Sequence, residues 1–172
     1  MSLEGRKSLA ILHQLCNVSA GSDIGSGKDM AKRISSLTEI TGSYDVVLSD
    51  VWGVVHNGVD AFPDACKALA DARVAGTTVV LITNSPRPSP GVISQLRLLG
   101  VPDSSYDGIV TSGDVTRHLI AEGPRKVFLL GPERDMPLFD GLDVEVVGAD
   151  EADAIVCTGF FDDEKEVPED YP

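Results

Sequence analysis

Two short stretches carry the side chains best placed to do chemistry. In the first, the apolar run Val46-Val47-Leu48 delivers a carboxylate at Asp50, and Val51-Trp52-Gly53-Val54-Val55 then leads into a polar His56-Asn57-Gly58 turn. In the second, the β-branched run Thr77 to Ile82 ends in a hydroxyl, an amide and a hydroxyl, Thr83-Asn84-Ser85, before Pro86 stops it. An acid at the carboxyl end of a buried strand lies where ligands bind in open α/β sheets, because the loops diverge there and leave a crevice. Beside three neutral hydrogen-bonding groups, that acid can take part in binding a polar ligand and acting on it. The plainer alternatives are an Asp that caps the next turn and a Thr whose hydroxyl bonds its own backbone.

These residues must be positioned by the elements between them. Phe62 to Ala75 has apolar residues at helical spacing and stops at Gly76, so the unit reads strand, helix, strand. A right-handed crossover makes the two strands parallel neighbours, with Asp50 and Thr83 side by side at one sheet edge. Further along, Val92, Ile93, Leu96, Leu98 and Leu99 predict a helix ending at Gly100, Tyr106 to Thr111 a third strand, and Ser112-Gly113-Asp114 the start of a helix carrying His118. The pattern then repeats, with strands at Lys126 to Gly131, Val144 to Val147 and Ala154 to Thr158 and an acidic, proline-interrupted tail. Upstream, Ile34, Leu37 and Ile40 predict a short amphipathic helix from Met30, Leu9 to Leu12 part of another, and Ser19 to Lys28 a linker. The Gly25-Ser26-Gly27-Lys28 run is no phosphate loop, since Asp29 stands where Ser or Thr is required.

The 172 residues, 42% of them hydrophobic, suffice for a globular core, and a net charge of −13 argues against non-specific binding to nucleic acid or anionic lipid. No apolar run is long enough to span a bilayer, and no secretory pattern is read at the N-terminus, so a cytoplasmic protein is expected. Cys16, Cys66 and Cys157 have no metal-ligand spacing and read as reduced thiols, the last two as core residues.

Asp50-Val51-Trp52-Gly53-Val54 with Leu81-Ile82-Thr83-Asn84 resembles the first two motifs of the haloacid dehalogenase-like (HAD) superfamily. Val54 to Gly58, Leu98 to Pro102 and Tyr106 to Gly113 are similar to its subfamily IIA, the branch of para-nitrophenylphosphatase-like and nucleotide phosphatase-like enzymes. The resemblance runs from about Met30 to Pro172 and implies an α/β fold: a doubly wound parallel-sheet (Rossmannoid) core over 30–122, the start of an inserted α/β cap domain over 123–172, and a leader or linker over 1–29. It also implies that the chain is the first part of a longer protein.

By the same resemblance the expected activity is a Mg²⁺-dependent phosphatase acting on a small phosphorylated metabolite through an aspartyl-phosphate. Asp50 matches the nucleophile and a metal ligand, the Trp52 carbonyl a second metal ligand, and Thr83 the hydroxyl that binds the phosphoryl group. Asn84 and Ser85 add donors, and His56 and Asn57 line the entrance, with a backbone-satisfied turn as the alternative for His56. The departure is Trp52. Phosphatases of the superfamily carry a second Asp there, and an indole cannot replace an acid-base group worth on the order of 10²–10⁴-fold. The lysine that screens the phosphoryl charge and the acidic pair completing the metal site are expected beyond Pro172, which makes this chain alone a poor catalyst or none. Two alternatives stay open: a compact, capless enzyme using Lys126 and Asp162-Asp163, and a non-catalytic binding or regulatory domain with Trp52 filling the pocket.

Overall fold

The computed structural model describes residues 8–11, 34–162 and 165–170. Its elements run β1 (Ser8–Ile11), α1 (Thr38–Thr41), β2 (Val46–Asp50), α2 (Pro63–Val74), β3 (Thr78–Thr83), α3 (Ser89–Leu98), β4 (Gly108–Thr111), α4 (Ser112–Glu122), β5 (Lys126–Leu130), β6 (Glu145–Val146) and β7 (Ala154–Cys157). Four strands form one sheet in the order β1-β2-β3-β4, and three form a second in the order β6-β5-β7. The expected parallel α/β architecture is what the chain adopts. By compactness it divides into one unit of residues 1–83 with 93–109 and another of 84–92 with 110–172.

In the first unit β1 and β3 flank β2, both parallel to it. The pleat sends Val47 and Ser49 of β2 and Val79, Leu81 and Thr83 of β3 into the interior, where all are buried. Leu69, Ala72, Leu96 and Val101 are buried in the same unit. Helix α2 starts where sequence chemistry allows, with Pro63 in its first turn, where a missing N–H costs nothing, and Asp64 beside it at the positive end of the helix dipole.

The last turn of α2 is tied across the unit by a guanidinium. Arg73 donates to Asp107 Oδ1 from Nε at 2.9 Å and from Nη2 at 2.6 Å, while Asp107 Oδ2 accepts the Val79 N–H at 2.8 Å. One carboxylate thus joins helix α2, the start of β3 and the approach to β4. A second pair, Arg97 with Asp103, fastens the end of α3 to the turn before β4.

In the second unit Ile120, Val127, Leu129, Leu138, Phe139 and Val156 make a compact apolar cluster. Like any helix end, the 3₁₀ segment Glu133–Phe139 needs outside donors to satisfy its last carbonyls. Arg117 of α4 supplies them, donating to the carbonyls of Leu138 at 2.7 Å and Asp140 at 2.8 Å.

Several sequence expectations need correction. Ser8–Ile11 is a strand beside β2, so the helix expected at Leu9 to Leu12 does not form there. β-branching at Ile11 and the open edge of β2 outweigh a weak helical pattern. The amphipathic helix expected from Met30 is helical among the described residues only at Thr38–Thr41, and Met30 itself lies outside them. The strand expected at 144–147 is reduced to Glu145–Val146. Cys66 is buried as expected, but Cys157 is exposed, because it sits on the open face of β7, and Cys16 is outside the described residues.

The Arg73 ion pair makes a prediction about acid stability. The Arg73 guanidinium first, and then the Val79 N–H, hold the Asp107 carboxyl below its ordinary range, as Arg97 does for Asp103. An unfolded Asp titrates near ~3.9, so this stabilisation is complete above that pH and is lost as pH falls through the lower folded values. Asp107→Asn is expected to lower the urea midpoint at pH 7 and to narrow its drop between pH 7 and pH 3. Midpoints equal to those of the parent protein at both pH values would contradict this role for the pair.

Candidate active site

β2 pairs with β3 in the register Val47 with Val79, Ser49 with Leu81 and Asp50 with Ile82. Asp50 is therefore the last residue of β2 and Thr83 the last of β3, at neighbouring carboxyl ends and staggered by one residue rather than side by side. Paired residues of parallel strands share a face, so Asp50 lies on the face of Ile82 and Val80, while Thr83 continues the buried row of Val79 and Leu81. Asp50 is partly exposed, and its Oδ1 accepts the N–H of Val51 at 2.7 Å. That bond fixes the carboxylate against the first residue of the following loop. Ser49 Oγ donates to the Asp50 carbonyl at 2.9 Å, satisfying the strand end from within the core.

The loop that follows closes on itself. The Val55 N–H returns to the Val51 carbonyl at 2.9 Å, and the Gly53 N–H donates to the His56 carbonyl at 2.7 Å. Gly53 has a φ of 77°, a left-handed conformation that an L side chain rarely adopts, and this lets the chain fold back within four residues of Asp50. Val51 and Val55 are buried and anchor the loop, and the Val55 carbonyl accepts the Phe62 N–H just before α2.

His56 is 5% exposed, and its Nδ1 accepts the Gly58 N–H at 2.9 Å. A ring nitrogen that accepts carries no proton, so the imidazole is the neutral tautomer protonated at Nε2. Burial pushes its pKa below the ordinary histidine value. Asn57 Oδ1 accepts from the N–H groups of Val59 and Asp60, at 2.9 and 2.8 Å, as an Asx turn. Both side chains shape the turn, and neither oriented atom is left for a ligand.

Trp52 is 59% exposed, so it fills no buried pocket, contrary to the placement expected in a non-catalytic domain. Its indole lies against Gly58, with Nε1 3.6 Å from where a Cβ on that glycine would be.

Asn84 and Ser85 belong to the second unit. Asn84 is exposed, and its side-chain amide makes no hydrogen bond among the described residues. Ser85 is held by the first turn of α4, where the Gly113 N–H donates to the Ser85 carbonyl at 3.0 Å. A Cβ on Gly113 would lie 2.3 Å from the Pro86 carbonyl oxygen, so only glycine permits this approach. Thr111 caps the same helix, its Oγ1 accepting the Asp114 N–H at 2.9 Å. The reading of Ser112-Gly113-Asp114 as a helix start gave these residues no further part. The Thr-x-x-Asp capping pattern at 111–114 was the signal for it.

Lys126 opens the middle strand of the second sheet, whereas Asp50 ends a strand of the first. Asp162 forms an ion pair with Lys165 at 2.7 Å, and Asp163 lies outside the described residues. Asp50 and the Trp52 carbonyl are oxygen donors of the kind that suits Mg²⁺, which takes few protein ligands and keeps its waters. They fit in kind and fall short in number, since no three His, Cys, Asp or Glu side chains are grouped for a metal among the described residues. Among those residues no helix is long and apolar enough to cross a membrane.

Residues 47–145 match the family profile of the haloacid dehalogenase-like hydrolases, and the chain belongs to that family. The fold agrees with that of a haloacid dehalogenase-like hydrolase from Brucella suis 1330, 58% identical over 79% of this chain and 50% of that one, at a TM-score of 0.75. It is also similar to a 4-nitrophenylphosphatase from Thermotoga maritima, 25% identical over 73% and 47% of the two chains at a TM-score of 0.54. A glycerol phosphate phosphatase from Mycobacterium tuberculosis, solved with magnesium, is 25% identical over 70% and 38% at a TM-score of 0.54. The chain thus spans half or less of the length of each of these structures. A search of curated proteins returned no match.

The burial of His56 makes the prediction for this site. A folded pKa below the unfolded ~6.5 means that neutral His56 stabilises the fold above that pH, and that this is lost as pH falls through the lower folded value. In an NMR titration the His56 ring should therefore titrate below the ordinary histidine value of ~6.5. Titration of His56 at or above ~6.5 would show that the ring is not buried as described.

Proposed function

We propose that this hydrolase is a phosphatase acting on small phosphorylated metabolites, with Asp50 as nucleophile, an aspartyl-phosphate intermediate and Mg²⁺ as cofactor. The observation that carries this reading is the register of β2 on β3, which ends one strand in a carboxylate and its neighbour in a buried threonine, within a chain that belongs to the haloacid dehalogenase-like hydrolases. Support also comes from relatives described as a 4-nitrophenylphosphatase and as a glycerol phosphate phosphatase with magnesium. In this reading the sheet of β5, β6 and β7 begins an inserted cap.

Mg²⁺ held by Asp50 and the Trp52 carbonyl would neutralise charge on the phosphate oxygens. The Thr83 hydroxyl, the Asn84 amide and Ser85 would bind those oxygens. One carboxylate oxygen of Asp50 attacks phosphorus as the ester P–O bond breaks, giving the acyl phosphate and the freed alcohol oxygen. Water then attacks the same phosphorus, releasing inorganic phosphate and restoring the carboxylate. The Trp52 indole N–H is far too weak an acid to protonate the leaving oxygen, so that proton comes from water or the leaving group departs as a stabilised anion. Good leaving groups are favoured accordingly.

A second reading, binding without turnover, draws on the single carboxylate at the site and on Trp52 in the acid-base position.

Mg²⁺-dependent phosphate release from para-nitrophenyl phosphate is the test. Both EDTA and Asp50→Asn are expected to remove it, the variant by on the order of 10³-fold or more. Turnover that survives Asp50→Asn would sink the proposal. Because Trp52 is exposed, Trp52→Asp should fold and should raise release from an alkyl phosphate by at least about tenfold. No gain there would mean that the missing acid-base group is not what limits the enzyme.

A further inference from the structure

The turn that follows Asn84 is unusually short of free backbone donors, and the ones it has are already directed. Pro86, Pro88 and Pro90 have no N–H. The Arg87 N–H donates to Ser85 Oγ at 3.3 Å, and the Ser89 N–H donates to Asp114 Oδ1 at 3.0 Å. Gly113 meets the same turn by donating to the Ser85 carbonyl and by backbone contact with Pro86 and Arg87. The turn is therefore clamped at both ends by the first turn of α4, with Thr111 orienting Asp114 through its own backbone. The exposed Asn84 side-chain amide lies outside the clamp.

We infer that Asp114 is a positioning residue, which through Ser89 and the clamped 85–89 turn holds Asn84 and Ser85 ready to bind a phosphoryl group. This rests on reading Asn84 and Ser85 as phosphate donors. Asp114 touches no phosphate itself. Its contribution is preorganisation, because a turn that is already fixed loses less freedom when the anion arrives. The single accepting oxygen that does this is shared by Asp and Asn, and Ala lacks it.

The test is binding of inorganic phosphate to the full chain, followed by the Ser85 and Asn84 amide signals, together with kcat and KM for para-nitrophenyl phosphate. Asp114→Ala should weaken phosphate binding and raise KM by about tenfold, the effect of one lost hydrogen bond, with a smaller change in kcat. Asp114→Asn should restore both. A general loss of structure would lower the thermal midpoint of both variants alike and move kcat and KM without rescue, and that pattern overturns the inference. So does phosphate binding unchanged in Asp114→Ala, or a parent protein whose Asn84 and Ser85 amides do not respond to phosphate. Phosphate binding that depends on Asp114 while turnover survives Asp50→Asn would leave this inference standing and remove the proposed nucleophile instead.

Discussion

The parallel pairing of β2 with β3 is the constraint on which the rest depends. It is fixed by burial: Val47, Val79 and Leu81 are fully excluded from solvent, and a slip of one residue would turn the buried row of the slipped strand outward and expose that surface to water. At roughly 1.5–3 kcal/mol for each such side chain, the cost of slipping exceeds what any surface contact could recover. Because the register cannot slip, the ends of the two strands cannot either. Asp50 and Thr83 are carried to neighbouring carboxyl ends by residues that take no part in chemistry.

From that edge two loops leave, and each is rigid for a different reason. The loop after Asp50 is closed by its own backbone and by His56 and Asn57, whose side chains accept amide hydrogens of the same turn. The turn after Thr83 is stiffened by three prolines and clamped by α4. Preorganised loops of this kind suit a reaction in which the protein supplies little covalent chemistry beyond one nucleophile and must hold donors still around a phosphoryl group. The exposed indole of Trp52, in place of a carboxylate, is the feature that most sets this chain apart from what its family resemblance implies.

Much of this was legible in the sequence where a single physical signal dominated. β-branched runs ending in polar clusters gave β2 and β3, and apolar spacing with Pro63 and Gly76 gave α2. Legibility failed where partners are distant in sequence. Ser8–Ile11 becomes a strand because β2 offers an open edge, which local propensity cannot show. The stagger of Asp50 against Thr83 depends on register, and register is set by packing across strands. His56 and Asn57 looked like ligand contacts because polar residues near an active carboxylate often are. Their side chains accept backbone N–H groups two and three residues on, turn chemistry that residue type alone does not reveal. The clamp by Gly113 and Asp114 joins residues more than twenty positions apart, and only the capping pattern at Thr111 hinted at it.

The most direct measurement is mass spectrometry of the chain after brief exposure to a phosphoryl donor with Mg²⁺ and acid quenching. A phosphoryl group on the Asp50 side chain, absent from Asp50→Asn and discharged by hydroxylamine, is the expected result. Phosphate release with no label at Asp50, or a label on another residue, would contradict Asp50 as the nucleophile.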